Sequence, residues 1–554
     1  MITNYLPNIV KNVRLKATYL LPLLLVPQIL SSCNDYLDTV PSKGENEVLG
    51  SGKQIDALFN SSDIFNSKVA YAIASSDDID VKPEMYEQLG YLPDSYLNGF
   101  VFGIADAANV QYGDEVWESE YKKVFIANLI INEIGNVEDI TEQQRIDYLA
   151  QAYFTRALAF WNLAQTYCLP YAEETKGELG LPLKKSTSYE ENVARATLEE
   201  TYEQILSDLN EALKTSQGDV GSRWRVSKPA VAAMLARYYL FTQQYDKAVD
   251  YAKQALASQS ATLQDYNELE LMEDYASNPI TSEGMPVFYS EYYGYAPNQL
   301  ADFQENYYSQ YFAASSGHYM IPSATLLGLY DHDNDLRFEQ FFGSHTLWSV
   351  WVGGFGDDIL YRKFYHYIWE DQIQSGPTVP EMLLTAAEAL ARQNQIDEAM
   401  NLLNQLRYAR MRAGGDGIKL EAASQQEAIQ LILDERHREM PFVMRWFDIR
   451  RLAYNETTAD DVTVEHVFYK VIDNVPDGET FIRYTLPVKS HRYAIPITNM
   501  EITRSGNQIV QNTYLDGDVR TEVVDNYDWI DVYEGADMGN EDWGDEDWNE
   551  DYDW

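Results

Sequence analysis

Cysteine is nearly absent from the chain: two occur in 554 residues, Cys33 and Cys168. A disulfide framework of the kind that staples small secreted domains is therefore excluded. Basic residues are scarce beside acidic ones, 41 against 87, for a formal net charge of −46. A chain so charged repels phosphate backbones, which excludes nucleic acid as a partner. It also leaves an anionic lipid surface unattractive except through a covalent anchor. The apolar run from Ala17 to Leu30 is broken by Pro22 and Pro27 and is too short for a comfortable membrane-spanning helix. No GxSxG elbow, P-loop or HExxH motif is present. With 87 carboxylates, pairs arise by chance at almost any spacing, and nothing singles out the two that a glycosidase sets across one bond.

What is present begins with a targeting segment. Lys11, Arg14 and Lys16 precede the apolar run, and Leu30-Ser31-Ser32-Cys33 ends it in the form of a bacterial lipobox. The two small residues fit a narrow peptidase site, and the thiol takes the lipid. Several acyl chains at one terminus anchor far more firmly than one. Residues 1–32 are accordingly expected to be a lipoprotein signal peptide, with Cys33 lipidated and residues 33–54 an extended polar lead. Loss of the signal takes three basic residues and leaves a net charge near −49. Cys168 follows an apolar helical stretch and is expected to be a buried, inert thiol.

The body of the chain reads as mainly α. Thr141-Glu142-Gln143-Gln144 and Thr197-Leu198-Glu199-Glu200 have capping-box form, and Ser424-Gln425-Gln426-Glu427 repeats it. Each opens an apolar stripe at helical spacing, the first running through Ile146, Leu149, Tyr153, Ala157, Phe160, Ala164 and Tyr167. Two segments read as antiparallel helix pairs. One turns at Gln243-Gln244-Tyr245-Asp246 and the other at Gln393-Asn394-Gln395, with small residues where the helices cross. They resemble tetratricopeptide units, scattered instead of tandem, so the expectation is a helical-pair scaffold with a long irregular insertion.

That insertion spans about residues 259–380 and is rich in Tyr, Phe, Trp, Gly and Pro. Aromatics make up 13% of the chain, with 42 Tyr and 11 Trp. Their flat faces suit sugar C–H faces as well as peptide side chains. Loops on a rigid scaffold are where binding residues tend to lie. Tyr292, Tyr293, Tyr295, Trp348 and Trp351 are the candidate ligand contacts. Residues 455–510 read as a further mixed stretch with a few strands. Residues 515–554 read as an acidic, tryptophan-rich tail too densely charged to fold, serving either as an interaction tail or as a solvated terminus.

Four stretches carry a resemblance. They are Ser32-Cys33-Asn34-Asp35-Tyr36-Leu37-Asp38; Ala150 to Tyr167; Glu435-Arg436-His437-Arg438-Glu439 with Arg445-Trp446-Phe447-Asp448-Ile449-Arg450-Arg451; and Tyr493-Ala494-Ile495-Pro496-Ile497 with Glu501 and Gln511-Asn512. Together they are similar to the SusD/RagB outer-membrane lipoproteins of Bacteroidetes, running from the start of the chain to residue 514. Thr513 stands where the family pattern has proline, and the acidic tail lies outside the pattern. The resemblance implies four tetratricopeptide-like helical pairs supporting an irregular half that bears the ligand site. It also implies a SusC-like TonB-dependent outer-membrane barrel as partner, to which an oligosaccharide, or in RagB-like members a peptide, is passed at the cell surface.

The arginine-rich motif also has a structural account. Arg436, Arg438, Arg445, Arg450 and Arg451 stand among Asp434, Glu435, Glu439 and Asp448, and a buried or half-buried ion-pair network would hold this helix to the scaffold. His437 points away from Glu435 and Glu439 on a helix, so those three cannot form one metal site. Asp331, Asp333 and Asp335 begin like a calcium loop. Leu336 and Phe342 replace the glycine and glutamate that an EF-hand requires, leaving only a weaker calcium site as a candidate. No other cofactor is implied. The reading is of a nutrient-binding surface lipoprotein, not an enzyme. The competing readings are a surface glycan hydrolase and a non-transport envelope assembly scaffold built on the helical repeats.

Overall fold

The computed structural model describes residues 49–525 apart from 62–63, 65, 69, 82–85, 87–91, 93, 104–114, 189–190, 192, 269–302, 314–320, 348–358 and 365–371. In chain order the elements are α1 (Gly52–Phe59), β1 (Asn66–Lys68), α2 (Ala70–Ala74), β2 (Ile79–Asp80), α3 (Asp94–Phe100), α4 (Glu115–Glu133), α5 (Glu142–Tyr167), α6 (Leu198–Ala212), α7 (Lys228–Phe241) and α8 (Tyr245–Leu256). There follow β3 (Tyr311–Ala313), β4 (Ile321–Pro322), α9 (Ala324–Leu327), α10 (Leu336–Phe341), β5 (Phe342–Leu347), β6 (Ile359–Phe364) and β7 (Gln372–Gln374). The chain closes with α11 (Val379–Arg392), α12 (Ile396–Arg410), α13 (Gln425–Glu439), α14 (Val443–Leu452), β8 (Val464–Ile472), β9 (Val475–Leu486), α15 (Asn499–Arg504) and β10 (Arg520–Val523).

The helices stack in sequence, α4 on α5, α5 on α6, α6 on α7 and α7 on α8. The stack then continues from α8 directly onto α11, with α12 and α13 beyond, although residues 257–378 intervene in the chain. The expected tetratricopeptide-like scaffold with one long insertion is therefore the observed architecture. Alanines make the close approach: Ala230, Ala233 and Ala236 on α7, Ala248, Ala252 and Ala255 on α8, and Ala386 and Ala387 on α11 are all buried. Within the insertion the described residues form short strands. β3 lies between β1 (parallel) and β7 (antiparallel), β2 pairs with β4, and β5 with β6.

Local chemistry sets the helix ends. The Thr141 side chain accepts from Gln144 N while Gln144 Oε1 accepts from Thr141 N (2.9 Å), and Thr197 with Glu200 does the same. At Ser424 the hydroxyl accepts from Glu427 N, but the Glu427 carboxylate accepts from Ala423 N instead of closing the box. The two tight turns are Schellman motifs. Gln243 and Asn394 sit at φ 58° and 60°, and the following amides, Gln244 N and Gln395 N, donate back to Tyr239 O and Leu390 O. This corrects the expected first turn: because the motif closes in three residues, Tyr245 and Asp246 already belong to α8.

α5 is amphipathic only at its start; from Ala150 onward almost every side chain is buried. Its polar residues are matched inside the protein. Arg156 forks onto Asp208 (2.8 and 2.7 Å), and Gln151 donates to the Tyr308 hydroxyl (3.1 Å). Cys168, just beyond, is fully buried, and burial pushes its thiol up. One continuous core runs through the scaffold. A second, smaller one lies under α1, where Ile55, Phe59, Ile126, Leu129 and Ile130 meet.

Two expected boundaries differ from the observed ones. The fold takes in residues before 55, since Leu49 is buried and Ser51 caps α1 through a capping box with Gln54. Residues 520–523, inside the stretch expected to be tail, form β10. Their β-branched and polar side chains pair with Ile482 to Thr485 on the edge of the β8–β9 hairpin. The acidic residues from 526 onward lie outside the described residues.

Gly180 shows how tightly the α6 N-terminus is packed. Its amide donates to Ala196 O (2.8 Å), and a Cβ there would collide with Thr197 O and Thr201 Oγ1. Gly180→Ala should cost about 1–3 kcal/mol of stability by overpacking, read as a lower urea midpoint with an unchanged m-value. An unchanged midpoint would show that the backbone gives way freely here.

Candidate functional site

The arginine-rich motif on α13 and α14 is the most charged part of the interior. Glu435 and Glu439, one turn apart, face the same side of α13. Arg337, from the insertion, reaches both (2.7 and 2.9 Å) as well as Asp335 (2.8 Å). Arg407 (2.6 Å) and Arg438 (2.8 Å) complete the contacts of Glu435, and Arg410 bridges Glu439 (2.9 Å) to Glu305 (2.8 Å). Four guanidinium groups thus meet four carboxylates. Burial alone would raise the Glu435 carboxyl, but Arg337, Arg438 and Arg407 outweigh it and hold it well below the carboxylate range. Burial wins at Glu305, which is raised despite Arg410.

The other face of α13 carries a second group. Arg436 meets Asp448 (2.6 Å), Arg451 meets Asp448 and Glu388 (both 2.7 Å), and Arg392 joins Glu388 (2.9 Å) to Asp460 (2.8 Å). The expected ion-pair network is therefore real without three of its expected members: Arg445 pairs with Asp77, Arg450 meets neutral acceptors, and Asp434 is apart. Asp434 stays outside it on the outer face, where it accepts from Gln430 (2.8 Å).

Arg450 differs from its neighbours. It donates to Tyr493 O (3.0 Å), Gln165 Oε1 (3.0 Å) and Cys168 O (2.6 Å), and burial without a carboxylate pushes it down to about 10. It sits at the C-terminus of α5, where the helix dipole favours a cation. The closing signature serves the same helix end. Asn512 Nδ2 donates to Tyr167 O (3.0 Å) and Ile495 O (2.8 Å), Arg195 Nη2 donates to Tyr167 O (3.2 Å), and Gln511 bonds both Ile497 N and Ile497 O. Gln511 and Asn512 make these bonds through their side chains, so Thr513 in place of the usual proline leaves them intact.

Asp77, Asp78 and His437 form the group whose ligand atoms, within 4.8 Å of one another, could hold a metal ion. Their oxygens are already engaged. Arg445 forks onto both oxygens of Asp77 (2.9 and 2.6 Å), and Asp78 takes His437 Nε2 on one oxygen and Phe442 N on the other. The guanidinium supplies the cation that a metal would otherwise provide. Phe442 is held at φ 64° to present that amide, a strained position for an aromatic residue. The same loop ties in the insertion, since Ser323 donates to Asp78 O through its amide (2.7 Å) and to Asp77 O through its hydroxyl (2.7 Å). It ties in β8 as well, through His466 against Ser76 O (2.9 Å). This is a structural junction between elements some 360 residues apart. Nothing in the spacing of Asp77, Asp78 and His437 could have announced it.

A small cleft lies beside the junction, lined by Arg237, Glu305, Gln374, Glu381, Met440 and Met444 among others. Its charged walls are already paired, Arg237 with Glu381 (2.6 Å) and Glu305 with Arg410. Among the described residues Asp331, Asp333 and Asp335 are not gathered as a set of metal ligands. Asp331 accepts from the amides of Asp333 and Asn334 in its own turn, whereas Asp335 turns inward, caps α10 and binds Arg337. The carboxylates are drawn apart because Arg337 captures one of them. Tyr292, Tyr293, Tyr295, Trp348 and Trp351 lie outside the described residues.

The Asp77–Arg445 pair sets a pH dependence. Burial would raise Asp77, but Arg445 outweighs it and brings the carboxyl from 3.8 to about 2. Its stabilisation is present above about pH 4 and is lost as pH falls toward 2, worth about 2 kcal/mol by that shift. In Arg445→Met burial is opposed only by His437 and a backbone hydrogen bond, so the stability gap to the native protein should widen as pH rises from 2 through 4. Denaturant titrations at pH 3 and pH 7 measure it, and a gap that does not change with pH contradicts the assignment.

Comparison with known proteins follows the same lines. Residues 35–240 match a family model described as "Starch-binding associating with outer membrane", and residues 359–515 match the SusD family model. Two SusD-like proteins of Formosa agariphila are 26% identical over 377 residues (61% of this chain, 71% of the relative) and 22% identical over 412 residues (65% and 77%). Among solved structures, a SusD superfamily protein of Bacteroides thetaiotaomicron superposes with a TM-score of 0.57 at 18% identity, covering 83% of this chain and 97% of that one. A structure described as a laminarin-binding SusD-like protein gives 0.54 at 17% identity, covering 84% and 99%. One family model matches the early helices and the other the end of the insertion with the arginine motif and its helix-capping signature, and the chain belongs to the SusD/RagB family.

Proposed function

We propose that this chain is a surface-exposed outer-membrane lipoprotein that captures an oligosaccharide and delivers it, unaltered, to a SusC-like TonB-dependent barrel. Membership of a family described as starch-binding and associated with the outer membrane carries the reading. The laminarin-binding neighbour supports a glycan as cargo. The lipobox at Cys33 supports the anchor, and among the described residues no helix is long and apolar enough to cross a membrane. A binding role without catalysis agrees with the interior carboxylates. Glu435, Glu439, Glu388 and Asp448 are held by arginines, which leaves none of them placed as a general acid.

Cys33→Ser should abolish incorporation of labelled palmitate in the native host and release the protein from the membrane fraction. Retention with undiminished label would refute the anchor. For the ligand, Trp348→Ala or Trp351→Ala should weaken glycan binding about tenfold or more in calorimetry while leaving the thermal midpoint unchanged, as expected of a stacking ring on a loop. A fallen midpoint would instead assign that ring to packing.

A further inference from the structure

The β8–β9 hairpin meets the end of α3 through rings. Phe468 stands edge-on to Phe100 (5.9 Å), and His466, two residues earlier on the same face of β8, is buried beside it. The imidazole stacks on Phe100 (centroids 4.1 Å, interplanar angle 4°) and on Phe102 (5.1 Å, 17°). Phe102 sits at φ 53° just past α3, where glycine is the usual residue, and Gly103 N closes the turn on Asn98 O (2.8 Å). His466 therefore packs against a strained position.

Both of its ring nitrogens face backbone carbonyls. Nδ1 lies 2.7 Å from Phe100 O and Nε2 lies 2.9 Å from Ser76 O. A carbonyl only accepts, and a neutral imidazole has one N–H. The neutral ring satisfies one oxygen and turns a lone pair to the other. A second proton would complete both bonds, but it would place a charge in the interior. The groups that could balance that charge are already engaged. Asp77, from the loop after α2, is forked by Arg445, and Asp78 takes His437 and the Phe442 amide. Tyr484, opposite His466 on β9, gives its hydroxyl to Tyr469 O (3.0 Å). The end of α3 brings the two phenyl rings and the Phe100 carbonyl. Burial accordingly outweighs the two carbonyls and Asp77, and pushes the imidazole below its ordinary value.

We propose that His466 is an acid-sensitive latch, which holds the hairpin against α3 and the Ser76 loop while its ring is neutral and lets the hairpin loosen on mild acidification. The inference is independent of the capture role. Once detached, the ring reaches water and takes its proton at the ordinary histidine value of about 6.5. A group held below that value stabilises the closed state in full above about pH 6.5 and loses its contribution as pH falls further. Because β10 pairs with β9, residues 520–523 move with the hairpin. The window is separate from that of Asp77, whose carboxyl is brought from 3.8 to about 2.

The test uses the full chain in detergent with its seven histidine rings labelled with carbon-13. His466 is identified by the upfield shift that two flanking phenyl rings impose and by the signal missing from His466→Gln. Its titration midpoint should fall below that of free histidine. Exchange of the β8 amides, corrected for the intrinsic rate, should be faster at pH 5 than at pH 7.5, by up to about tenfold for each unit by which the ring is held down. In His466→Gln the acid-dependent acceleration should vanish, although His437 and His491 remain. A midpoint at or above that of free histidine overturns the proposal, since the ring is then an imidazolium bridging both carbonyls. So does β8 exchange that is equal at the two pH values, or acceleration that persists in His466→Gln. Should His466→Gln fail to fold, the ring titration and β8 exchange of the native protein decide the matter.

Discussion

Glu435 is the point on which the two halves of the molecule close. It is fully buried, and the arginines that hold it come from three places: Arg337 from the insertion, Arg407 from α12 and Arg438 from its own helix. A carboxylate at such depth is tolerable only when paired, because removing it from water costs several kcal/mol before any partner arrives. Here the pairing is complete at the level of charge, with Arg337, Arg407, Arg410 and Arg438 against Asp335, Glu305, Glu435 and Glu439. Such a network is a poor source of net stability compared with apolar packing, but it is demanding about geometry. Bidentate forks accept one register, so the insertion is fixed on the scaffold in one orientation.

The Asp77–Asp78 loop repeats that logic at a second junction. It gathers α14 through Arg445, α13 through His437, the insertion through Ser323 and the β8–β9 hairpin through His466. Arg450, Arg195 and Asn512 do the same for the end of α5 with neutral acceptors. A rigid base follows from these three ties, and a rigid base is what loops need if they are to present a binding surface without losing affinity to disorder. The family's signature residues therefore read as joinery. Their partners lie in the interior, and under the proposed capture role the cargo would meet other residues.

Much of this was legible in the residues. Capping boxes at Thr141 and Thr197 placed two helix starts, and the Gln393-Asn394-Gln395 turn fell where expected, because caps and Schellman turns depend on neighbours within one turn. The other turn was drawn two residues too long at its end, since Gln243 in the left-handed region closes it before Tyr245. Polar residues on α5 such as Gln151, Arg156 and Gln165 could not be recognised as interior, because their partners Tyr308, Asp208 and Tyr202 come from other elements. The Asp331-Asp333-Asp335 spacing looked like the start of a cation loop, and only Arg337 two residues on, folded inward, turned it to another use.

By itself the sequence determined the helical scaffold, the interruption between α8 and α11 and the excess of negative charge, since each rests on composition or on periodicity along the chain. Tertiary structure alone decided which carboxylate each arginine would meet, that Asp77 and Asp78 would face His437, and that the closing signature would cap a helix more than 300 residues earlier. The physical reason is that a buried charge is assigned by three-dimensional proximity and desolvation, and neither quantity is written in the spacing of residues along a chain.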